Sequence, residues 1–153
     1  MPQLQAFFQK AEMDTQLAHR DQFEHINGIF RDIFDGHWYH KLWRTHVVID
    51  GVQQPHKFFS GKNDITLLLS TDGFLLFNRR RSGPSATPML LQNLNLPLTL
   101  RTHLEHLICI GVIPRPHQPK DLRSFLTSLD NECTTLADGV HTYDALDEDS
   151  FYL

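Results

Sequence analysis

An aspartate at the end of an apolar segment is the first residue of this sequence that could do chemistry. Residues 65–70 are isoleucine, threonine, leucine and serine, which predicts a buried β-strand. Asp72 and Gly73 follow, and an Asp-Gly pair is typical of a turn from which the carboxylate projects. An acid held in this way is suited to binding a divalent metal ion. The alternative is an ordinary turn with a solvated carboxylate, which this segment by itself favours.

Three consecutive arginines, Arg79, Arg80 and Arg81, come shortly after Asp72 in the sequence. A Ser-Gly-Pro sequence follows them, which predicts a loop. Guanidinium groups beside a metal-binding acid could contact DNA phosphates and add salt-sensitive, sequence-independent affinity. The alternative is a solvated basic loop, and both interpretations remain open.

The ten histidines raise the question of a zinc site. His103, His106 and Cys109 are three residues apart, so they would share one face of a helix, and His37 and His40 form a similar pair. The stretch from His106 to Cys109 is more typical of a strand, whose alternation would separate the three side chains. A structural zinc ion also needs four ligands. Ordinary surface or packing histidines are therefore the default interpretation.

Composition limits the classes of protein that this chain could be. Its 153 residues are enough for one domain, and 41% hydrophobic content is enough for a core. A net charge of −4 argues against coating nucleic acid by bulk charge, so any DNA contact must come from local patches. Cys109 and Cys133 have no CxxC spacing and are predicted to be buried in a reducing compartment. With neither a signal segment nor a membrane span in the sequence, we expect an intracellular protein.

The first third of the chain is predicted to be helical, and residues 1–45 to form an N-terminal helical segment. Trp38, Tyr39 and Trp43 predict a further helical turn after Asp35 and Gly36. Apolar residues at helical spacing predict two earlier amphipathic helices, the first carrying Leu4, Phe7, Phe8 and Ala11 and the second carrying Phe23, Ile26, Phe30, Ile33 and Phe34.

Residues 46–153 are predicted to form an α+β domain. After a strand and turn at residues 47–52 and a loop at Pro55, three strands are expected, bounded in part by Pro88, Pro97 and Pro114. Short connections favour an antiparallel meander. A helix capped by Asp121 and stopped by Gly139 should follow, then a segment ending near Asp144 and an acidic, frayed tail. The strands are residues 65–70, 89–95 and 107–112, and the helix face carries Leu122, Phe125, Leu126, Leu129, Cys133, Leu136 and Ala137.

Three antiparallel strands followed by a helix are the opening half of a ribonuclease-H-like fold. In that architecture one acid on the first strand and a second acid on the strand after the first helix bind divalent metal. Two Mg²⁺ ions held by such acids activate the attacking oxygen and stabilise the leaving one during phosphodiester cleavage. Asp72 occupies the expected first position.

Several short motifs, in collinear order from about residue 32 to residue 145, resemble the transposases of CACTA-type (En/Spm-like) DNA transposons, in the form found in basidiomycete fungi. The resemblance implies a nuclear protein that binds DNA at transposon ends and cuts and joins them with Mg²⁺ or Mn²⁺. The motifs are Asp-Ile-Phe-Asp-Gly at 32–36, Pro-His-Lys-Phe-Phe-Ser at 55–60, Leu-Ser-Thr-Asp-Gly-Phe at 69–74, Asn-Leu-Pro at 95–97, Gly-Val-Ile-Pro at 111–114 and Lys-Asp-Leu at 120–122.

By this resemblance, Asp72 stands in the motif of the first catalytic acid, and we expect it to be catalytic and a metal ligand. Asp144, in a Tyr-Asp-Ala motif, is the runner-up for a second metal ligand. Thr87-Pro88, Arg115 and His117 depart from the residues that relatives have at these positions, and the remaining acids of relatives lie beyond Leu153.

These departures predict a truncated or decayed transposase fragment and leave open whether the chain is an enzyme. The alternative is a non-catalytic remnant that binds DNA or protein. Its partner would be another copy of the chain or a full-length transposase, reached through exposed sheet edges and the N-terminal aromatic helices.

Overall fold

The computed structural model describes residues 2–72, 74–75, 85–114 and 121–153. It is a mixed structure of helices and antiparallel sheets, which confirms the α+β class. The helices are α1 (Pro2–Phe8), α2 (Ala11–Leu17), α3 (His37–Trp43), α4 (Leu98–Arg101) and α5 (Arg123–Ala137), with 3₁₀ turns at Ile33–Asp35 and Leu104–His106. The strands are β1 (His46–Ile49), β2 (Val52–Lys57), β3 (Leu67–Thr71), β4 (Phe74–Leu75), β5 (Ser85–Asn93), β6 (Leu107–Pro114), β7 (His141–Asp144) and β8 (Asp149–Tyr152).

The main sheet is built around β5, which pairs antiparallel with β6 along one edge and with β3 and β4 along the other. The three strands predicted from apolar runs are thus confirmed as antiparallel neighbours. The pair Thr71 and Met89 and the pair Phe74 and Ala86 keep a single register, so β4 continues the line of β3. Gly73 of the predicted Asp-Gly turn lies outside the described residues, so that turn stays a prediction, but the strands on either side of it pair with the same edge of β5.

Two prolines lie inside strands that the sequence analysis ended or interrupted at them. Pro88 is part of β5, opposite Val112, and Pro55 is part of β2. Proline has no N–H to donate, so it is tolerated where ladder bonding is already broken. The shared register of β3 and β4 places Asp72 across from Pro88, at the gap between those strands. Pro55 lies in a two-stranded sheet with an irregular register.

The core lies between the main sheet and the N-terminal helices. Leu4 of α1 packs with Leu91 and Ile108 of the sheet, and Phe8 packs with Leu17 and Leu96 in an adjoining cluster. The N-terminal helices thus form part of the same hydrophobic core as the strands. The division at residue 45 stays a prediction, since packing alone does not decide where a folding unit begins.

Helix α5 confirms the predicted helix and its stop at Gly139, which has a φ of +92°. The N-cap position of α5 is Leu122 rather than the predicted Asp121, but the Asp121 carboxylate accepts a hydrogen bond from the Arg123 N–H at 2.9 Å. The predicted apolar face of α5 is only partly covered. Leu129 and Leu136 are half-buried against the core, whereas Leu122 and Phe125 are exposed. Cys133 and Cys109 are both exposed, so the prediction that they are buried is wrong.

The second predicted amphipathic helix does not form. Residues 23–32 have no helix, only irregular chain with a turn and a bend, and of the predicted helix only the 3₁₀ turn Ile33–Asp35 is present. The Asp35 carboxylate accepts the backbone N–H groups of Arg31 and Asp32, at 2.7 and 3.2 Å. Such local side-chain bonds offer the backbone an alternative to helix bonding. Gly28, with a φ of +81°, further breaks the helical path.

The strand after α5 does not pair with the main sheet. β7 pairs antiparallel with β8, from His141 opposite Tyr152 to Asp144 opposite Asp149. The acidic tail expected to be frayed is instead ordered: Asp147 and Glu148 lie in the turn between β7 and β8, Asp149 begins β8, and Asp147 forms an ion pair with Lys62. In a ribonuclease-H-like topology the strand after the helix would lie next to β3, the first strand of the main sheet. Because β7 pairs with β8 instead, the ribonuclease-H-like fold stays a prediction. Among the described residues, no helix is long and apolar enough to cross a membrane.

Candidate functional site

Asp72, the predicted catalytic acid, is exposed at the end of β3. Its backbone is held by the sheet, because the preceding residue Thr71 is the last paired residue of β3. None of the described residues forms a hydrogen bond or an ion pair with the Asp72 carboxylate. Within the described part of the chain, its two oxygens therefore have no partner.

The predicted DNA-binding arginines, Arg79, Arg80 and Arg81, lie outside the described residues, so their role stays a prediction. In sequence they fall between β4 and β5. The chain enters this connection only a few residues after Asp72.

Asp144, the predicted second acid, is in a different environment. It is the last residue of β7 and is buried, with 3% of its surface exposed. Its Oδ1 atom accepts the backbone N–H groups of Leu146 and Asp147, both at 2.9 Å. These bonds satisfy one carboxylate oxygen inside the protein, which leaves Asp144 poorly placed to bind a metal ion with both oxygens.

A second buried acid, Asp14 of α2, contacts Asp144. Burial, followed by the hydrogen bond to Asp144, raises the pKa of Asp14 to about 7. Burial also opposes ionisation of Asp144, but the Asp147 N–H and the Asp14 carboxyl together hold the Asp144 pKa below its ordinary value. The raised pKa of Asp14 and the lowered pKa of Asp144 favour Asp14 as the proton donor and Asp144 as the acceptor in their contact.

One further observation supports the raised pKa of Asp14. Asp14 Oδ2 is buried and has no donor among the described residues, which is costly for a charged oxygen and is relieved when Asp14 carries a proton.

Lys62 lies on the same small cavity as Asp14, and its Nζ atom contacts Asp147 Oδ2 at 2.8 Å. The cavity has a volume of about 10 Å³, which is room for roughly one water molecule.

The structure does not bring Asp72 and Asp144 together. Asn95, which lines the cavity beside Asp14, accepts the backbone N–H of Thr66, the residue before β3. Asp72 follows the last residue of β3. The length of β3, roughly 17 Å, therefore separates Thr66, at the end of the strand near Asp14, from Asp72 at its other end. Among the described residues, neither acid belongs to a group of three potential metal ligands, and the group that does form consists of His103, Glu105 and His106.

The sequence analysis missed Asp14 and Lys62. Asp14 lies three residues from both Ala11 and Leu17, so an acid on the apolar face of the helix was the available signal. No pattern in the sequence linked it to Asp144, because the two residues lie near opposite ends of the chain.

Comparison with known proteins identifies the class. The family model described as "Transposase family tnp2" matches residues 40–153, about three quarters of the chain. The chain therefore belongs to this transposase family, which implies a role related to DNA transposition and an interaction with DNA. The match includes Asp72, the main sheet, α5 and the β7–β8 hairpin. No curated protein and no solved structure matches the chain.

Proposed function

We propose that this chain serves in DNA transposition of the CACTA type, as part of a ribonuclease-H-like core in the nucleus, and that Asp72 is its catalytic acid. The observation that carries the proposal is the position of Asp72: an exposed carboxylate, without a described partner, at the end of a strand in the main sheet. The family match includes this strand. DNA ends are the proposed substrate, with Arg79, Arg80 and Arg81 as phosphate contacts.

Mg²⁺ or Mn²⁺ is the proposed cofactor, because carboxylate oxygens are the ligands these ions prefer. The described residues do not by themselves form its site, since Asp72 is alone at its end of β3 and Asp144 is engaged internally with backbone N–H groups. Asp72 would supply one ligand, and the others would have to come from DNA phosphates and from acids outside the described residues. When bound, such ions activate the attacking oxygen and stabilise the leaving one.

The test is a titration of the chain with Mn²⁺, by calorimetry, in the absence and presence of a short DNA duplex. Asp72→Asn removes the proposed ligand. Asp50→Asn is a matched control, because Asp50 also follows a strand, precedes a glycine and is exposed, and its φ of +50° suits asparagine. Saturable binding that is lost in Asp72→Asn and retained in Asp50→Asn is the expected result.

A non-catalytic module is the second candidate, and one observation favours it. No described acid shares a ligand group with Asp72, whereas metal-dependent phosphodiester chemistry needs converging acids. In this case the chain binds DNA, a second copy of itself or a full-length transposase, without metal. Equal Mn²⁺ binding by Asp72→Asn and the parent chain, or no binding with and without the duplex, would reject the catalytic proposal. DNA binding that persists in chelator would then support the module.

A further inference from the structure

The connection between β5 and β6 carries a cluster that the proposed transposition chemistry does not use. It consists of His103, Glu105 and His106, whose potential ligand atoms all lie within 4.8 Å of one another. The spacing of His103 and His106 in the sequence suggested Cys109 as the third ligand. Cys109 instead lies on β6, where its Sγ atom contacts the Gly111 carbonyl oxygen at 3.6 Å, and it is not part of the cluster.

The local backbone explains why the two histidines meet. The His106 N–H donates to the His103 carbonyl at 2.9 Å, which closes a 3₁₀ turn. Side chains three residues apart eclipse one another in this geometry. The two imidazole rings are accordingly stacked, with centroids 5.9 Å apart and an angle of 5° between their planes.

One hydrogen bond determines which nitrogen of His106 is available. His106 Nδ1 lies 2.9 Å from the Leu100 carbonyl oxygen, which can only accept, so in the neutral ring Nδ1 carries the proton. Nε2 therefore has the free lone pair. A ligating histidine whose other nitrogen donates to a backbone carbonyl is the usual arrangement in metal sites, because that bond fixes the tautomer and the ring orientation. The His106 ring is also buried and contacts Phe7 edge-on, with centroids 6.4 Å apart.

Glu105 completes the cluster from between the two rings. Its Oε1 atom lies 3.8 Å from His106 Nε2 and 3.8 Å from His103 Nδ1. Ligand atoms around tetrahedral zinc are about 3.3 Å apart, given bonds of about 2.0–2.1 Å. The gap can be closed by side-chain rotation, because His103 and Glu105 have 54% and 74% of their side-chain surfaces exposed.

We propose that His103, Glu105 and His106 form a zinc site with an open fourth position. Two imidazole nitrogens and one carboxylate oxygen favour Zn²⁺ over Mg²⁺ or Ca²⁺, which prefer oxygen ligands alone. His106 is the preorganised ligand, and the two exposed side chains close around the ion. The bound ion would restrain the connection that leads into β6, the strand that pairs with β5 along the side opposite β3.

The test is a calorimetric titration of the untagged full chain with Zn²⁺. One site per chain is expected, and either His103→Gln or Glu105→Gln should weaken binding at least about tenfold, since even changes outside the ligand set cost 10–100-fold. Both residues are exposed, so neither change should prevent folding. His56→Gln is the matched control, because His56 is an exposed histidine on β2, outside the cluster.

A second measurement uses imidazole ¹⁵N chemical shifts. On addition of Zn²⁺, the Nε2 signal of His106 should move and its Nδ1–H should stay bonded to Leu100. The competing histidine pair is His25 and His40, whose ring centroids are 4.8 Å apart. Loss of binding in His25→Gln rather than His103→Gln, equal affinity in all variants, or absence of saturable binding would overturn the proposal.

Discussion

Asp14 and Asp144 lie against each other in a buried position between α2 and β7, where burial and this contact raise the pKa of Asp14. This contact, together with the bond from the Ala145 N–H to the Phe8 carbonyl at 3.0 Å, joins the C-terminal hairpin to the N-terminal helices. The acid that the family resemblance offered as a metal ligand thus also has a structural role.

The proton on Asp14 predicts an unusual dependence of stability on pH. Its folded-state pKa of about 7 lies above the ordinary value of 3.8, so the folded state binds more protons than the unfolded state between these values. This contribution to the free energy of unfolding is fully present below about pH 4 and is lost as pH rises to about 7. One pKa unit corresponds to about 1.36 kcal/mol, so the loss is at most roughly 4 kcal/mol.

Asp14→Asn tests this relationship, because asparagine stays neutral and keeps a donor for Asp144. Urea unfolding at pH 5 and pH 8 should show a smaller decrease in stability for Asp14→Asn than for the parent chain. Asp21→Asn, an exposed acid just after α2, should keep the parent's dependence. Identical pH profiles for Asp14→Asn and the parent would show that Asp14 does not hold the proton.

Leu4 tests whether the N-terminal helices belong to the same folding unit as the sheet. Its side chain is fully buried against Leu91 and Ile108, so Leu4→Ala should lower the free energy of unfolding by about 2–5 kcal/mol. Leu98→Ala, at a site with 58% of its surface exposed, should change it by less than about 0.5 kcal/mol. A loss for Leu4→Ala as small as that for Leu98→Ala in urea unfolding would contradict this packing.

Arg101 and Asp32 form a buried ion pair, with Arg101 Nη2 and Asp32 Oδ1 2.6 Å apart and both side chains about 5% exposed. Asp32→Asn removes the charged partner of the buried Arg101 guanidinium, which should cost about 3–5 kcal/mol. Combining it with Arg101→Met should cost less than the sum of the single changes. Lys62→Met, in the exposed pair with Asp147, should cost at most about 1 kcal/mol. Additive losses in urea unfolding would rule out direct coupling.

The arginine run predicts a salt-dependent contribution to DNA affinity. Replacing Arg79, Arg80 and Arg81 with glutamine should weaken binding to any duplex sequence and flatten the plot of log affinity against log salt by up to about 0.9 per lost phosphate contact. Fluorescence anisotropy at several salt concentrations measures this slope. A control with the same change in charge replaces the exposed cations Arg44, Lys57 and Arg123. If both triple variants flatten the plot of log affinity against log salt equally, the loss is an effect of net charge alone and the arginine run does not contact the phosphates.

The sequence by itself determined the elements whose patterns are local. Apolar runs gave the main strands, aromatic residues gave α3, and a capping acid with a glycine stop gave α5. These predictions succeeded because each pattern acts over a few residues, within the reach of backbone hydrogen bonds and side-chain spacing. The position of Asp72 at the end of a strand was found in the same way, although its catalytic role stays a prediction.

Only the tertiary structure decided which distant groups meet. The helix expected at residues 23–34 is replaced by a segment bonded to the Asp35 side chain, and Pro88 lies within β5, opposite Val112. The contact of Asp14 with Asp144 depends on how separate segments pack, whereas Glu105 joins the two histidines through one local 3₁₀ turn. Burial and charge proximity act through space, so no periodicity along the chain could reveal them.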